Sequence, residues 1–542
     1  MREGQLADTI LEGGRIFLGL AEGFAEHLAL ADGRVLAAGR REDLDTLLGP
    51  ATRRIDLRGR AVLPGFNDGH QHMLLYGLEQ MEVNLHPAQV RTLAELLTRL
   101  RHKAARGGPD DWVLGRRYDH FHLDIGRHPT RAELDQAAAD RPLFITRTCG
   151  HVGVANSRAL TLAGIDETTP DPPGGRIERE NGRPNGVLFE NAMNLVKKIL
   201  PPLSSERMIA ALELAGRTFL SHGITSITDA GLGLRQGIGD LEAYRAAHAA
   251  GRLPVRAHVA LTGGPGGIEH EVRTREVLSG VGDERLKLGP VKLFADGSAG
   301  GKTAAMTLPY ICACENFGLF VYQDAAMAEM VKTYHDLGYQ VAIHAIGDAA
   351  IDQALSAVEA AMTGAPGEDR RHRVEHCSFT RPDQIERMVR LGMVPAPQPI
   401  FLYEFGELYT EVLGEERSAG AYPMRRWIDA GLRPIASSDT PVSDFSPMKN
   451  LYSMVTRKTD RGRVLGAGER IGLPEAVSAL SLSGAYGSFS ELVKGTLAPG
   501  MLADLVVLDG DIFAAGEDEL LRAQVDLTLL EGQVVFDRLG EG

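Results

Sequence analysis

The sequence has no excess of basic residues. Its 58 Lys and Arg stand against 72 Asp and Glu, for a formal net charge of −14. Neutralising phosphates takes a basic face, so a nucleic-acid partner is not expected. The chain also has no apolar run near the roughly 20 residues that cross a membrane. Met1 to Leu20 hold no basic segment followed by an apolar core, so no secretory signal is read there. Cysteine is scarce, with four: Cys149, Cys312, Cys314 and Cys377. Cys312 and Cys314 are too close for a Cys-x-x-Cys metal pair, and no spacing pairs the others. A reducing compartment is the simpler reading. These absences leave a cytoplasmic protein with a small-molecule partner as the expectation, with no membrane and no nucleic acid. A homodimer is the default assembly.

What is present is ordinary for a folded chain: 542 residues, 44% hydrophobic and 24% charged. Glycine is plentiful at 63 residues, which suits many tight strand–helix turns. Both ends read as short strands. Asp8 to Phe17 is a strand–turn–strand pattern, and Asp32-Gly33 joins two strands at His27–Leu30 and Arg34–Ala38. Further strands fall at Asp504–Gly510 and Leu527–Phe536. Neither end can close a sheet alone, so one β-sandwich from residues 1–60 and 488–542 is expected.

The middle alternates strand and helix. Strands are read at Ala61–Phe66, Ile224–Asp229, Val255–Ala260, Leu288–Phe294, Tyr339–His344, Arg371–His376, Met393–Pro397 and Leu432–Ser437. Helical patterns fall between them, the longest at Ser205–Ser221, Asp324–Leu337 and Ala349–Met362. The fold class is therefore α/β, a (β/α)8 TIM-like barrel over 61–72 and 204–487. Residues 73–203 are too long for a loop and have their own elements: a helix at Thr92–Ala105, a strand at Pro142–Thr146 and a turn-rich stretch at Thr169–Arg183. They are read as an inserted α/β subdomain, expected over the barrel mouth as a lid.

Chemistry-bearing residues recur where apolar strands stop. His70-Gln71-His72 follows the first strand, and imidazoles two apart on extended backbone point the same way. His344 ends the fifth strand, His376 the sixth, and Asp439 follows the eighth. Singly, His344 or His376 reads equally as a hydrogen-bonded core histidine, and Asp439 as a helix cap. Together at the C-terminal mouth of one barrel they point to a metal site. Lys292 lies inside the apolar fourth strand. A buried ammonium needs a partner or a modification. The alternatives are an ion pair with Asp296, or a lysine carboxylated by CO2, which desolvation favours by keeping the amine neutral. Cys377 beside His376 offers a rival thiol nucleophile, but neighbours on a strand face opposite ways. The aromatic run Phe401 to Phe405 is read as lining an apolar pocket, and Asp348 as capping the helix after the fifth strand.

Six segments carry a resemblance to a known family: Leu63 to His72, Gly150 to Ser157, Val291 to Thr303, His344 to Asp348, Val374 to His376 and Ser438 to Pro441. With the tail Gly495 to Leu508 they resemble the amidohydrolase superfamily, in its YtcJ-like (amidohydrolase family 3) branch, which includes N-substituted formamide deformylases. The resemblance spans essentially the whole chain. It implies a divalent metal, zinc by default, one or two per chain. His70 and His72 would hold the more buried ion, with Asp439. His344 and His376 would hold a second, bridged by carboxylated Lys292. It implies a hydrolase cleaving a C–N bond, of amide or N-substituted formamide type, by metal-activated hydroxide with Asp439 as proton shuttle. His151 is read as a substrate-facing donor. Asp296 is read as the partner holding Lys292, with a substrate contact as the alternative. Asn67 and Gln71 stand where the pattern has Ile or Val. Esters, carbamates or lactones are alternative substrates. An isomerase or lyase on the same site and a non-catalytic ligand-binding barrel are alternative functions.

Overall fold

The computed structural model describes residues 5–106, 108, 111–148, 151–275, 279–311, 315–363 and 369–540. Cys149, Gly150, Cys312 and Cys314, and residues 276–278 of a helical pattern read at Glu269–Ser279, lie outside them. The chain divides into two compact units, Met1–Leu75 with Leu212–Gly542, and Tyr76–Ala211.

In the larger unit seven strands run parallel and pair in chain order: β1 (Phe66–Gln71), β2 (Ile224–Leu232), β3 (Arg256–Thr262), β4 (Leu286–Phe294), β5 (Val341–Ala345), β6 (Arg373–His376) and β7 (Val394–Ala396). A barrel strand is covered on both faces, so it reads as a continuous apolar run. β2 and β3 are buried along their whole length. Helices return the chain between strands, among them Asp324–Asp336, Asp348–Met362 and Pro382–Arg390. The last has Pro at its first position, where a missing N–H costs nothing.

The eighth segment differs from expectation. Residues 432–440 form no regular strand, yet they tie the last strand to the first. Ile435 N donates to Pro395 O at 2.9 Å, Asp439 N to His70 O at 2.8 Å, and His72 N to Thr440 O at 2.8 Å. Pro395, Pro434 and Pro441 have no N–H to offer, which thins the ladder here. The result is a TIM-type barrel closed through an irregular segment.

The first strand also needs correction. Ala61–Pro64 belongs to the terminal sheets, pairing with Arg15–Gly19 and Leu505–Leu508. The chain changes sheets at Gly65: its N donates to Asp504 O, and the next amide, of Phe66, donates to Gly223 O in the barrel. A Cβ at Gly65 would meet Thr225 Oγ1 at 2.3 Å, so only glycine lets the two sheets approach there. The two strands are separated by one residue, and only the first is apolar, Ala-Val-Leu-Pro against Phe-Asn-Asp-Gly-His-Gln, so the apolar run in the sequence stops at Phe66 where the barrel strand begins.

The terminal strands form a four-stranded and a six-stranded sheet. Leu11, Leu28 and Val35 of one pack with Ile16, Val62 and Leu505 of the other, giving a sandwich core. Thr9–Glu12 and Arg15–Gly19 fall in different sheets, so the turn between them is a crossover and not a hairpin.

The unit Tyr76–Ala211 has its own six-stranded sheet. Helix Leu93–Ala104 is started by a reciprocal cap between Thr92 and Glu95, and it buries Leu96, Leu97 and Leu100. The stretch read as turn-rich is a hairpin, Gly175–Glu180 and Arg183–Glu190. Asn181 and Gly182 at its tip both have positive φ, at 51° and 79°, as a two-residue turn with strand-matching twist requires.

Candidate metal centre

Four of the barrel segments deliver side chains to one place. His70 is near the C-terminal end of β1 and His72 just beyond it, His344 is near the end of β5, His376 ends β6, and Asp439 lies near the end of the irregular segment. His376 and Asp439 have left-handed backbone, with φ of 66° and 60°. Such conformations are costly for non-glycine residues and cluster where function fixes a side chain's direction. Here His376 turns the chain where β6 ends, and Asp439 turns it near the end of the irregular segment.

The ligand atoms of His70, His72 and Asp439 all lie within 4.8 Å of one another. Asp439 Oδ1 is 3.4 Å from His70 Nε2 and 3.2 Å from His72 Nε2. The ring centroid of His376 is 4.9 Å from that of His70 and 4.4 Å from that of His344. Burial alone would raise Asp439's pKa, but hydrogen bonds from His70 and His72 outweigh it and hold the carboxyl well below its usual range. Burial pushes His376 well below the ordinary imidazole value. Neutral imidazole and carboxylate are the forms that bind a metal.

For three of the four histidines a ring nitrogen is held by a hydrogen bond, and the fourth, His72, lies near a carboxylate without bonding it. His70 Nδ1 forms a short hydrogen bond to Glu375 Oε2. His376 Nδ1 donates to Gln398 Oε1 at 2.7 Å. His72 Nδ1 lies 3.9 Å from Asp229, a carboxylate that also accepts from Tyr244 Oη at 2.6 Å. His344 is held through Nε2 instead, which donates to Gly297 O at 2.9 Å. An acceptor on one ring nitrogen fixes the proton there and leaves the other's lone pair for an ion. This donor set, three or four oriented imidazoles with a carboxylate, fits a divalent transition metal. Among the described residues His70, His72 and Asp439 are the one group of three such ligands whose atoms lie within 4.8 Å of one another.

Lys292 is 1% exposed, and burial lowers its pKa to about 8 although Glu375 and Asp439 pull upward. Asp296 is not its partner. That carboxylate lies past the end of β4 and accepts from the amides of Ala305, Ile346 and Gly347 at 2.8–3.0 Å, with His344 Nε2 3.3 Å away. Four residues of extended chain span about 13 Å, too far for the pairing read from sequence. Asp348 is the first residue of its helix and not the cap; it accepts from Thr307 N at 2.9 Å and pairs with Arg381 at 3.2 Å. His151 belongs to the unit Tyr76–Ala211, where its Nδ1 hydrogen-bonds Glu190 at 2.8 Å. Cys377 is buried, its thiol pushed up to about 12 by burial. Phe401 to Phe405 lie on a helix, Ile400–Leu413, and Phe401 and Leu402 are packed in a core with Met306, Ile346 and Tyr422. They do not form the loop-lined pocket expected.

Glu375 escaped the sequence reading. It is 1% exposed and takes Arg373 Nε at 2.6 Å and Nη2 at 2.9 Å, besides His70. Burial works against its charge, but Arg373 and then His70 hold it well below the usual carboxylate range. The signal was available: Arg373 and Glu375 are opposite charges two apart inside a buried strand, so they share one face. Gln398 gave no such signal, because its partner comes from another strand.

The amidohydrolase family profile matches residues 53–536 of this chain. The YtcJ protein of Bacillus subtilis (strain 168) is 30% identical over 538 residues, covering 98% of this chain and 99% of its own. N-substituted formamide deformylase of Arthrobacter pascens is 28% identical over 525 residues, covering 95% of this chain and 96% of its own. Among solved structures, a metal-dependent hydrolase from Pyrococcus horikoshii OT3 superposes with a TM-score of 0.78 at 28% identity, covering 94% of this chain and 99% of that one.

Proposed function

This chain is a hydrolase that belongs to the amidohydrolase family, and from that premise we propose that it cleaves a C–N bond of amide or N-substituted formamide type. The observation that carries the reading is the convergence of His70, His72 and Asp439 within 4.8 Å. The formamide deformylase likeness, extending over 95% of the chain, supports the bond type.

His70, His72 and Asp439 would hold one ion, and His344 and His376 a second. A bound divalent ion supplies Lewis acidity and makes water acidic enough to ionise near neutral pH. Zinc is the ion the imidazole-rich donor set favours. Lys292 as a neutral amine could add to CO2, losing one proton and gaining a carboxylate that would serve as a further anionic ligand. Its burial lowers the amine pKa, which raises the fraction able to react.

Asp439 is anionic and touches both imidazoles of the first group. It takes the proton of the attacking water and passes it to the departing amine, which would otherwise leave as an unstable anion. Positioned proton transfer of this kind contributes roughly 10²–10⁴-fold in rate. Glu375 holds His70 so that Nε2 and not Nδ1 faces Asp439. The test is a panel of N-substituted formamides, simple amides, esters and lactones, run with metal-replete enzyme in water labelled with heavy oxygen. Turnover of formamides or amides with label in the acid product is expected. Turnover confined to esters, or product without label, would reject the C–N reading.

A further inference from the structure

A cavity of about 310 Å³ opens at the other end of the barrel, at the N-terminal ends of β3 and β4. It is lined by Arg256 and His258 of β3, Lys287 of β4, and Lys494 of the segment leading back to the sandwich. Lys287 and Lys292 sit on one strand, about 17 Å apart along it. The cavity is therefore separate from the metal ligands at the C-terminal ends.

Most charges around it are already matched. Arg256 donates to Asp504 at 2.6 and 3.1 Å and to Glu531 at 2.9 Å. Asp283 accepts from His248 at 2.8 Å and from two backbone amides at 2.7 and 2.9 Å. Glu284 pairs with Arg34 at 3.2 Å. Two ammonium groups remain. Lys494 Nζ donates to Ser226 Oγ at 2.8 Å, and Lys287 Nζ to the carbonyl oxygens of Ser488 and Phe489 at 3.0 and 3.4 Å. Neither forms an ion pair among the described residues. His258 lines the cavity and is 6% exposed; its Nδ1 is closed off from solvent, so the ring meets the cavity through its other edge. Burial, then Arg256 nearby, lowers Lys494 to about 7 although Asp504 pulls upward, so an anion entering the cavity would draw a proton onto this amine.

Two partly buried amines that meet only neutral oxygens are costly to keep charged, and an anion that meets both relieves that cost. We propose that this cavity binds a dianionic phosphate group, as inorganic phosphate or a small phosphomonoester, held by Lys287, Lys494 and His258. Two ammonium groups match a dianion; a monocarboxylate would leave one uncompensated. Charge-assisted bonds from ammonium to phosphate oxygen are of the strong kind. The cavity is roomy for the free anion and leaves space for an organic substituent. The inference does not depend on the hydrolytic reading.

The experiment is calorimetric titration and thermal unfolding of the full-length, metal-loaded enzyme with inorganic phosphate, glycerol phosphate and acetate at matched ionic strength. Saturable binding and a rise in Tm are expected with phosphate or the phosphomonoester and not with acetate. Tighter binding of the ester assigns an organic phosphate, and equal binding assigns the free anion. Lys494→Met should weaken phosphate roughly ten- to hundredfold, as loss of one charged hydrogen bond implies. Lys287→Met, nearer the surface, should do the same and serves if Lys494→Met fails to fold. Asp439→Asn should leave phosphate binding in place. No saturable binding by the wild type overturns the proposal. So does binding that survives both lysine variants but is lost in Asp439→Asn, which would put the anion at the mouth, and so does acetate binding equal to phosphate.

Discussion

Glu375→Gln tests how the metal ligands are held. In the wild type one carboxylate serves three donors: Arg373 Nε on Oε1, and Arg373 Nη2 with His70 Nδ1 on Oε2. Glutamine keeps the shape and one acceptor oxygen. If its NH2 takes the Oε1 position, it faces the Arg373 Nε–H, donor against donor. If it takes the Oε2 position, it faces both Nη2 and His70, and His70 can accept only by moving its proton to Nε2. That removes the lone pair directed at the ion. Either way a buried guanidinium loses its counter-charge, since Arg373 is 1% exposed and Gly69 O at 2.8 Å is a neutral acceptor. Breaking a buried ion pair costs about 3–5 kcal/mol, and losing the group that orients a metal-binding histidine costs about 10–100-fold in metal affinity. Chelator competition would read the affinity and urea unfolding the stability. Metal affinity within twofold of wild type, with stability unchanged, would refute the orienting role.

Other predictions follow from the same geometry. Asp439→Asn should lower kcat by roughly 10²–10⁴-fold, and activity within threefold of wild type would remove the proton shuttle. Cys377→Ser should keep full metal content and nearly full activity, because the thiol is buried, bonded to Thr380 at 3.2 Å and pushed up to about 12; abolished activity with metal retained would revive the thiol nucleophile. His372 should make the fold acid-sensitive. Burial, then His335 beside it at 2.9 Å, lowers its pKa to about 3. The unfolded chain therefore binds more protons between about pH 6.5 and 3, and stability falls as pH drops through that window. The loss is about 1.4 kcal/mol per pH unit for one such group. Urea unfolding at pH 7 and pH 5 should differ by about 2 kcal/mol on this account, and a difference that is undiminished in His372→Gln would assign it elsewhere.

The barrel was legible in sequence because buried parallel strands leave long apolar runs, and six of them fell within a few residues of their observed places. The strand edges failed where chemistry and not hydropathy decides them. Ala61–Phe66 reads as one apolar strand, but Gly65 switches the chain between sheets. The eighth segment reads as a strand in composition, but prolines and hydrogen bonds tied to the site make it irregular. Ligand types at strand ends were readable because a histidine or aspartate stands out against an apolar run. Their partners were not. Glu375, Gln398 and Asp229 act across strands, and sequence spacing carries no register between strands distant in the chain. Asp296 shows the reverse error: proximity in sequence suggested Lys292, while the folded loop brought three amides closer. Phe401 to Phe405 read as pocket lining because aromatic and aliphatic side chains crowd there, but Phe401 and Leu402 face a helical core and Glu404 interrupts the run on the other side of the helix.

The most direct test of the central claim is metal content per chain by elemental mass spectrometry, on enzyme purified with bicarbonate and without chelator, beside the His70→Ala/His72→Ala double variant. One to two equivalents of a divalent transition metal in the wild type, falling by about one in the folded double variant together with loss of formamide or amide hydrolysis, is the predicted result. A wild type that takes up no metal after reconstitution, or a double variant with unchanged metal and activity, would contradict it.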